Sequence, residues 1–209
     1  MDSTGSRHIL VLTPGSAVPG PLDIVAKEGE RVEVKLLVFP GVSASLDIKA
    51  SLIGKGASFD LSGFYLCGAD EDFSLRTEVN HLVPGCSSNQ LFNGAAAGSS
   101  KVAFYGRILV AQDAIGTEAY QTNRNILLSD TATIDTKPQL EIYADDVKCS
   151  HGAAIGKLDD LELFYMRSRG IPLQEAKVMQ LDSFLSPALA GLPEEYSSKL
   201  EEALRTIVL

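Results

Sequence analysis

The sequence predicts a mainly β protein, a flattened parallel β-helix with about two strands per coil, followed by a C-terminal α-helical segment. Three observations carry this. Apolar residues alternate with polar ones at period two through most of the chain. The alternating units recur at a near-constant step of about fifteen residues from Ala44 onward, with no helical pattern between them. After Gly156 the apolar spacing changes to that of an amphipathic helix. Hairpin-linked sandwiches do not keep so even a step, whereas stacked coils do.

The first part of the chain holds two strand candidates, His8 to Thr13 and Arg31 to Phe39. They are separated by a segment containing Pro14, Gly15, Pro19, Gly20 and Pro21, which reads as a connector. In RVEVKLLVF, Val32, Val34 and Leu36 alternate with Arg31, Glu33 and Lys35 before the run becomes wholly apolar, as a strand entering a sheet does. The opening MDSTGSR reads as partly foreign to the natural chain.

Regular units then start near Ala44, Ala57, Phe73, Cys86, Lys101, Thr117, Ala132 and Val147. Two units per coil give a turn of about 30 residues, in the range of repeat proteins. The inward parity is Phe73, Leu75, Thr77 and Val79 in one unit and Val102, Phe104, Ile108 and Val110 in another. Arg76, Glu78, Tyr105 and Arg107 face out. The small-residue run Gly94 to Ser100 is expected to be a turn where backbones approach closely, and Pro138 is expected at a strand start, where a missing N–H is tolerated.

In QLEIYA, Leu140, Ile142 and Ala144 share one parity; Asp145 and Asp146 make a turn; Val147, Cys149 and His151 then share a face. Asp159 or Asp160 caps a first helix reaching about Ser168. Pro172 opens a second that runs to about Leu185, with Leu173, Val178, Leu181, Phe184 and Leu185 as its apolar stripe. A third starts at Pro193 and carries Tyr196, Leu200, Ala203, Leu204 and Ile207. Two regions follow, residues 1–156 as β-helix core and residues 157–209 as helical segment. Such helices either cap the last coil or dock a partner.

Composition narrows the function. With 209 residues the chain buries about 70 per cent of its unfolded surface without staples. A net charge of −9 argues against nucleic acid, whose binding needs Lys and Arg on phosphates. Cys67, Cys86 and Cys149 are odd in number and form no C-x-x-C pair, which argues against a disulfide framework and for a reducing compartment. No stretch approaches the ~20 apolar residues of a membrane span, so the expected location is the cytoplasm. No G-x-x-x-x-G-K-[ST] loop and no G-x-S-x-G elbow occurs, so neither ATP hydrolysis nor serine chemistry is expected.

Cys149 and His151 are the sharpest candidates for chemistry. Two residues apart on a strand, their side chains run parallel about 6.6 Å from each other, which suits two ligands of a small cluster. The competing reading makes Cys149 a small core residue and His151 a rim residue. Three cysteines and three histidines, widely scattered, do not build a metal site within one chain; a site here is completed by another chain. His81 reads as a coil-corner hydrogen-bonder, Cys67 and Cys86 as core or turn residues, and His8 as an exposed strand end.

The runs TKPQLEIYADDVKCSHGAAIG and LFYMRSRGI, with HLVPGCSSNQLFNG and KVAFYGRILV before them, closely resemble the SufB/SufD family, scaffold subunits of the SUF iron–sulfur cluster assembly machinery, and its SufD branch most. The resemblance covers roughly residues 80 to 185. It implies a right-handed parallel β-helix and a non-enzymatic scaffold. It also implies pairing with a SufB-type subunit at an interface where the histidine matching His151 faces a cysteine of that subunit and a nascent iron–sulfur cluster forms, with no cofactor held tightly by the chain alone. The helices from about Leu158 to Leu185 are implied to dock the SufC ATPase, with Leu163, Phe164, Arg167, Arg169, Val178, Leu181 and Phe184 as the docking set. Full members of the family are about twice as long, so the chain is either an excised core or a shortened relative.

Two other readings stay open on residues alone. A carbohydrate-active β-helix enzyme of the polysaccharide-lyase type needs a surface groove of clustered acids and bases. A structural β-helix homodimer without a cluster role is favoured if His151 lies far from any interface.

Overall fold

The computed structural model describes residues 5–208; the opening MDST, including most of the segment read as foreign, lies outside the described residues. Among the described residues, eleven strands alternate between two parallel sheets. Sheet A has the order β1 (Gly5–Leu12), β3 (Arg31–Val38), β5 (Ser58–Cys67), β7 (Ser87–Ala96), β9 (Glu118–Leu127), β11 (Lys148–Gly156). Sheet B has the order β2 (Leu22–Ala26), β4 (Ala44–Leu52), β6 (Asp72–His81), β8 (Lys101–Val110), β10 (Thr133–Ile142). The register climbs one coil at a time: Ser58 pairs with Ser87, Ser87 with Glu118, and Glu118 with Lys148. This is the flattened β-helix that the even step predicts, and its strands start within one residue of the positions read from alternation.

Each half-coil buries its inward parity. Phe59, Phe73, Leu75, Val79, Phe92, Val102 and Phe104 close the lumen, while Arg76 and Tyr105 lie outside. One corner repeats the same left-handed residue in successive coils, at Gly29, Gly56, Gly85 and Gly116, with φ between 65° and 72°. In the last coil Asp146 takes that position with φ 52°, which Asp tolerates better than most residues. The sequence reading of Asp145/Asp146 as a turn rests on that tolerance.

Three expectations are corrected. β2 lies in what reads as a Pro/Gly connector; LDIVA is too short for its alternation to stand out, and only Ile24 and Ala26 reach the core. Gly94 is not in a turn but inside β7, where a Cβ would overlap the Tyr65 ring and the Asn125 amide. Pro138 sits in the middle of β10, not at its start. Parallel strands turn successive N–H groups to opposite sides, and Thr133 and Tyr143 donate to Ser100 and Val110 of the neighbouring coil, so the missing N–H of Pro138 falls on the free side.

The helical segment comprises α1 (Asp160–Ser168), α2 (Leu173–Leu185), a 3-10 turn (Ser186–Leu189) and α3 (Glu194–Val208). Asp159 caps α1 by accepting from the N–H groups of Leu161 and Glu162. Of the two roles read for these helices, capping the last coil or docking a partner, the structure shows a third arrangement. Val178, Leu181, Leu185, Leu200 and Leu204 pack on the outer face of sheet A, against Leu37, Phe39, Phe64, Leu66 and Ala95. That is why β3 turns wholly apolar in its second half: its end is covered on both faces. Side chains of sheet A also hold tail carbonyls: Lys35 Nζ donates to Ala188 O at 3.4 Å, Asn93 Nδ2 to Phe184 O at 2.7 Å and Arg7 Nη1 to Gly191 O at 3.0 Å.

Glu71 ties neighbouring corners. Its buried carboxylate accepts from the N–H groups of Gly41 (2.7 Å), Gly68 (3.1 Å) and Ala69 (2.6 Å). Burial works to raise its pKa, but the backbone donors together outweigh it and hold the carboxyl below its ordinary value. A depressed carboxylate contributes stability that is present above its unfolded pKa of about 4.3 and is lost as pH falls through the folded value. Thermal melts from pH 7 to pH 3 are therefore expected to show a shallower acid-side decline for Glu71→Gln than for the wild type. Parallel curves would remove Glu71 from the acid response.

Candidate functional site

Among the described residues the coil stack ends on edge strands at both its first rung, β1 and β2, and its last. β10 and β11 are edge strands, one in each sheet, and nearly every residue of β11 is exposed. Lys148 N–H donates to Thr117 O at 2.9 Å, so alternation turns the N–H groups of Cys149, His151, Ala153 and Ile155 away from β9 toward the free side. An uncovered strand of this length offers a ready pairing edge.

Cys149 and His151 both take the lumen-facing parity of this rung, in register with Ala119 and Gln121. They differ in surroundings. Cys149 is half-buried against Ile108, Val110, Ala114, Ala119 and Ala144, and burial pushes its thiol above the ordinary value. His151 is exposed at the rim. Both halves of the bland reading are thus seen, a core-lining thiol and a rim imidazole, on an exposed edge strand. Among the described residues no three His, Cys, Asp or Glu side chains converge as a metal site.

Cys67 and Cys86 are free and buried, and burial pushes the Cys67 thiol up to about 12. His81 is fully buried at a corner, with Nε2 2.8 Å from Ser88 Oγ; burial lowers its pKa to about 4. His8 is exposed on β1.

The expected docking set divides. Val178 and Leu181 are 5% and 0% exposed, facing sheet A, and Leu163 is buried as well; these three give no surface to a partner. Phe184 is partly buried in the same cluster. Phe164 is 70% exposed, and its neighbours Leu161 (80%) and Tyr165 (59%) extend it into an apolar face on α1. Arg167 and Arg169 are exposed beside it, Arg169 lying over the Tyr165 ring at 5.3 Å. A groove of about 420 Å³ adjoins this face, lined by Ile126, Leu158, Met166, Met179 and Phe184 among others. Leu161, Tyr165 and the methionines were legible as helix residues, but only the packing of α2 and α3 decides which side of α1 is left bare.

On the outer face of sheet B, a shallow groove holds Asp47, Arg76, Tyr105, Asp135 and Lys137. Its charges are paired: Arg76 with Asp47 at 3.5 Å and Lys137 with Asp135 at 2.6 Å. Beside it Glu141 is held below the ordinary carboxylate range by Arg107, and Glu78 by Asn80, Lys49 and Arg107.

These features define a β-solenoid protein whose bare surfaces include the strand edge at its last rung and an apolar helix face. Residues 22–184 match the family model described as "SUF system FeS cluster assembly, SufBD core domain", and the chain belongs to the SufBD family. It is similar to the iron–sulfur cluster assembly protein SufD of Escherichia coli, 41% identical over 144 residues, covering 69% of this chain and 34% of that protein. It also resembles the chloroplastic protein ABCI7 of Arabidopsis thaliana, 36% identical over 148 residues, 70% of this chain and 31% of that one. A SufBD family protein of Synechocystis is 44% identical over 115 residues, 55% of this chain and 25% of that one. The chain spans about a third of the length of the curated relatives it matches. No helix among the described residues is long and apolar enough to cross a membrane.

Proposed function

We propose that this chain is a SufD-like, non-enzymatic scaffold subunit of an iron–sulfur cluster assembly complex in the cytoplasm. It pairs with a SufB-type subunit through the open rung formed by β10 and β11 and docks a SufC-type ATPase on the bare face of α1. The nascent iron–sulfur cluster is cargo shared at the inter-subunit joint, where His151 supplies one ligand and Cys149, less accessible, lines the floor. The observation that carries this reading is the pairing edge itself, with an imidazole at its rim. The protein presents a strand that asks for a neighbour and a potential ligand that is insufficient alone.

A lyase-like reading has less support. Its acids and bases would have to come from the outer face of sheet B, where Asp47, Glu78, Asp135 and Glu141 are tied up in ion pairs and Arg107 holds Glu141 below the ordinary carboxylate range, away from that of a general acid. A homodimer without a cluster role uses the same edge and is separated from the proposal by partner choice.

Ala153→Pro tests the edge. The N–H it deletes points to the free side, so the fold is expected to survive, as it does with Pro138 in β10. Co-elution with a SufB-type subunit in size-exclusion chromatography is expected to fall at least about tenfold, because lost main-chain bonds weaken strand addition. Undiminished co-elution of a folded variant would take the pairing away from β11. His151→Ala is expected to keep the pairing and lose cluster retention.

A further inference from the structure

The lumen directly beneath His151 holds polar side chains that the fold leaves without partners. Gln90 and Gln121 pair in register on β7 and β9, and Gln121 pairs in register with His151 on β11. Gln90 and Gln121 are 0% and 1% exposed, and in each both amide atoms, Oε1 and Nε2, lack a hydrogen bond. Two buried primary amides with four unmet atoms are costly unless something answers them.

The opposite wall offers Gln121 little. Its amide fills the space left by Gly106, where a Cβ would overlap it. Pro138, in register with Gly106 in the next coil, has no N–H and no polar side chain. One coil below Gly106, Thr77 pairs with it in register, and its hydroxyl is also buried and unpartnered. The polar groups within reach of Gln121 therefore lie along the axis of the rod, about 4.8 Å per rung, with Gln90 on one side and the imidazole of His151 on the other, and none is bonded to it as the side chains stand.

We propose that Gln121 is the positioning residue of His151: its unpartnered amide turns from the space beside Gly106 to hydrogen-bond one ring nitrogen, fixes the tautomer and leaves the other nitrogen directed out of the open rung. Metal-ligating histidines are ordinarily held in this way through the nitrogen that does not bind the ligand. Gln90, in register one rung beneath, is placed to hold the turned amide from below. A neutral amide suits the place, since it serves as donor or acceptor without bringing a charge into the lumen. The proposal rests on the reading of His151 as a ligand only for its purpose; the contact belongs to the chain alone.

The test is the ¹⁵N spectrum of the histidine rings in the isolated full chain, recorded where the imidazole is neutral. His151 is assigned as the resonance that disappears in His151→Ala. In the wild type the ring is expected to favour one tautomer beyond the balance of a free imidazole. Gln121→Met, close in size and unable to hydrogen-bond, is expected to move the tautomer ratio at least about threefold toward that balance, the change one modest net hydrogen bond produces. Gln90→Met, one rung deeper, is expected to move it less. A wild-type ring already at the free balance, or a ratio unmoved in Gln121→Met, overturns the proposal, and the wild-type spectrum decides even if the variant does not fold. Because no partner is present, failure here leaves SufB pairing untouched, and failure of pairing leaves this contact untouched.

Discussion

Gly63→Ala is expected to destabilise the protein by about 3 kcal/mol or more, near the upper end of what overpacking a core costs. Gly63 lies on β5 opposite Leu36 of β3, and a Cβ there would overlap the carbonyl oxygen of Leu36. That atom belongs to a ladder between two central strands, so relief requires both coils to separate. The same segment is buried on both sides, by the lumen through Tyr65 and by the helical tail through Phe64 and Leu66. At 209 residues, each kcal/mol shifts the midpoint by some 2–4 °C. The expected fall is therefore about 10 °C in a thermal melt, with loss of helical tail signal at the same temperature. A melt within 2 °C of the wild type would mean that β3 and β5 are not held in this register.

What the sequence makes legible follows from how local the cause is. Alternation is a property of neighbouring residues, so β4 through β11 can be placed to within a residue, and an acidic cap at Asp159 or Asp160 is declared by chemistry alone, the structure choosing Asp159. β2 is missed because five residues carry too few periods. The side on which a helix lies is not local at all. Val178 and Leu181 stand in a stripe that reads equally well as a docking face, and only Leu37, Phe64 and Ala95, far away in sequence, consume it. Those apolar residues on the outward parity of sheet A were the available signal: a strand that is apolar on both parities must be covered twice.

The buried polar groups were hidden for a related reason. Asn123 and Asn125 alternate correctly but with the wrong polarity for a core. They are satisfied by one another and by Tyr65 and Thr136: Asn123 Nδ2 donates to Tyr65 Oη at 2.9 Å, Asn125 Nδ2 to Asn123 Oδ1 at 2.7 Å, and Thr136 Oγ1 to Asn123 Oδ1 at 2.8 Å. Tyr65 in turn donates to Asn125. This network spans three coils, from β5 to β10, and no window of residues reveals it. Its effect is to fix the last rungs in register beneath the open edge, where a fully apolar lumen would permit sliding.

The bare face of α1 yields the second large effect. Leu161→Asp with Phe164→Asp is expected to leave folding unchanged within about 2 °C, since both side chains are already in solvent, and to weaken binding of a SufC-type ATPase by about 100-fold or more. Buried aromatic and aliphatic anchors carry most of an interface's energy, and a carboxylate in their place adds an unpaired buried charge. Leu181→Asp is the contrasting variant. It strikes the contact between tail and sheet A, so it is expected to lower the melting midpoint as well as binding. The distinction matters because α1 is joined to α2 through Gln180, which donates to Asp159 O at 3.1 Å and Glu162 Oε2 at 3.2 Å, and α2 is fixed to β7 by Asn93. A push on α1 is thus delivered to sheet A, whose last strand is β11. Titration of labelled double variant against the ATPase, with the melt as control, separates the cases. Wild-type affinity in the folded double variant would move the docking site off α1, and a loss seen only with Leu181→Asp would make the helices packing elements alone.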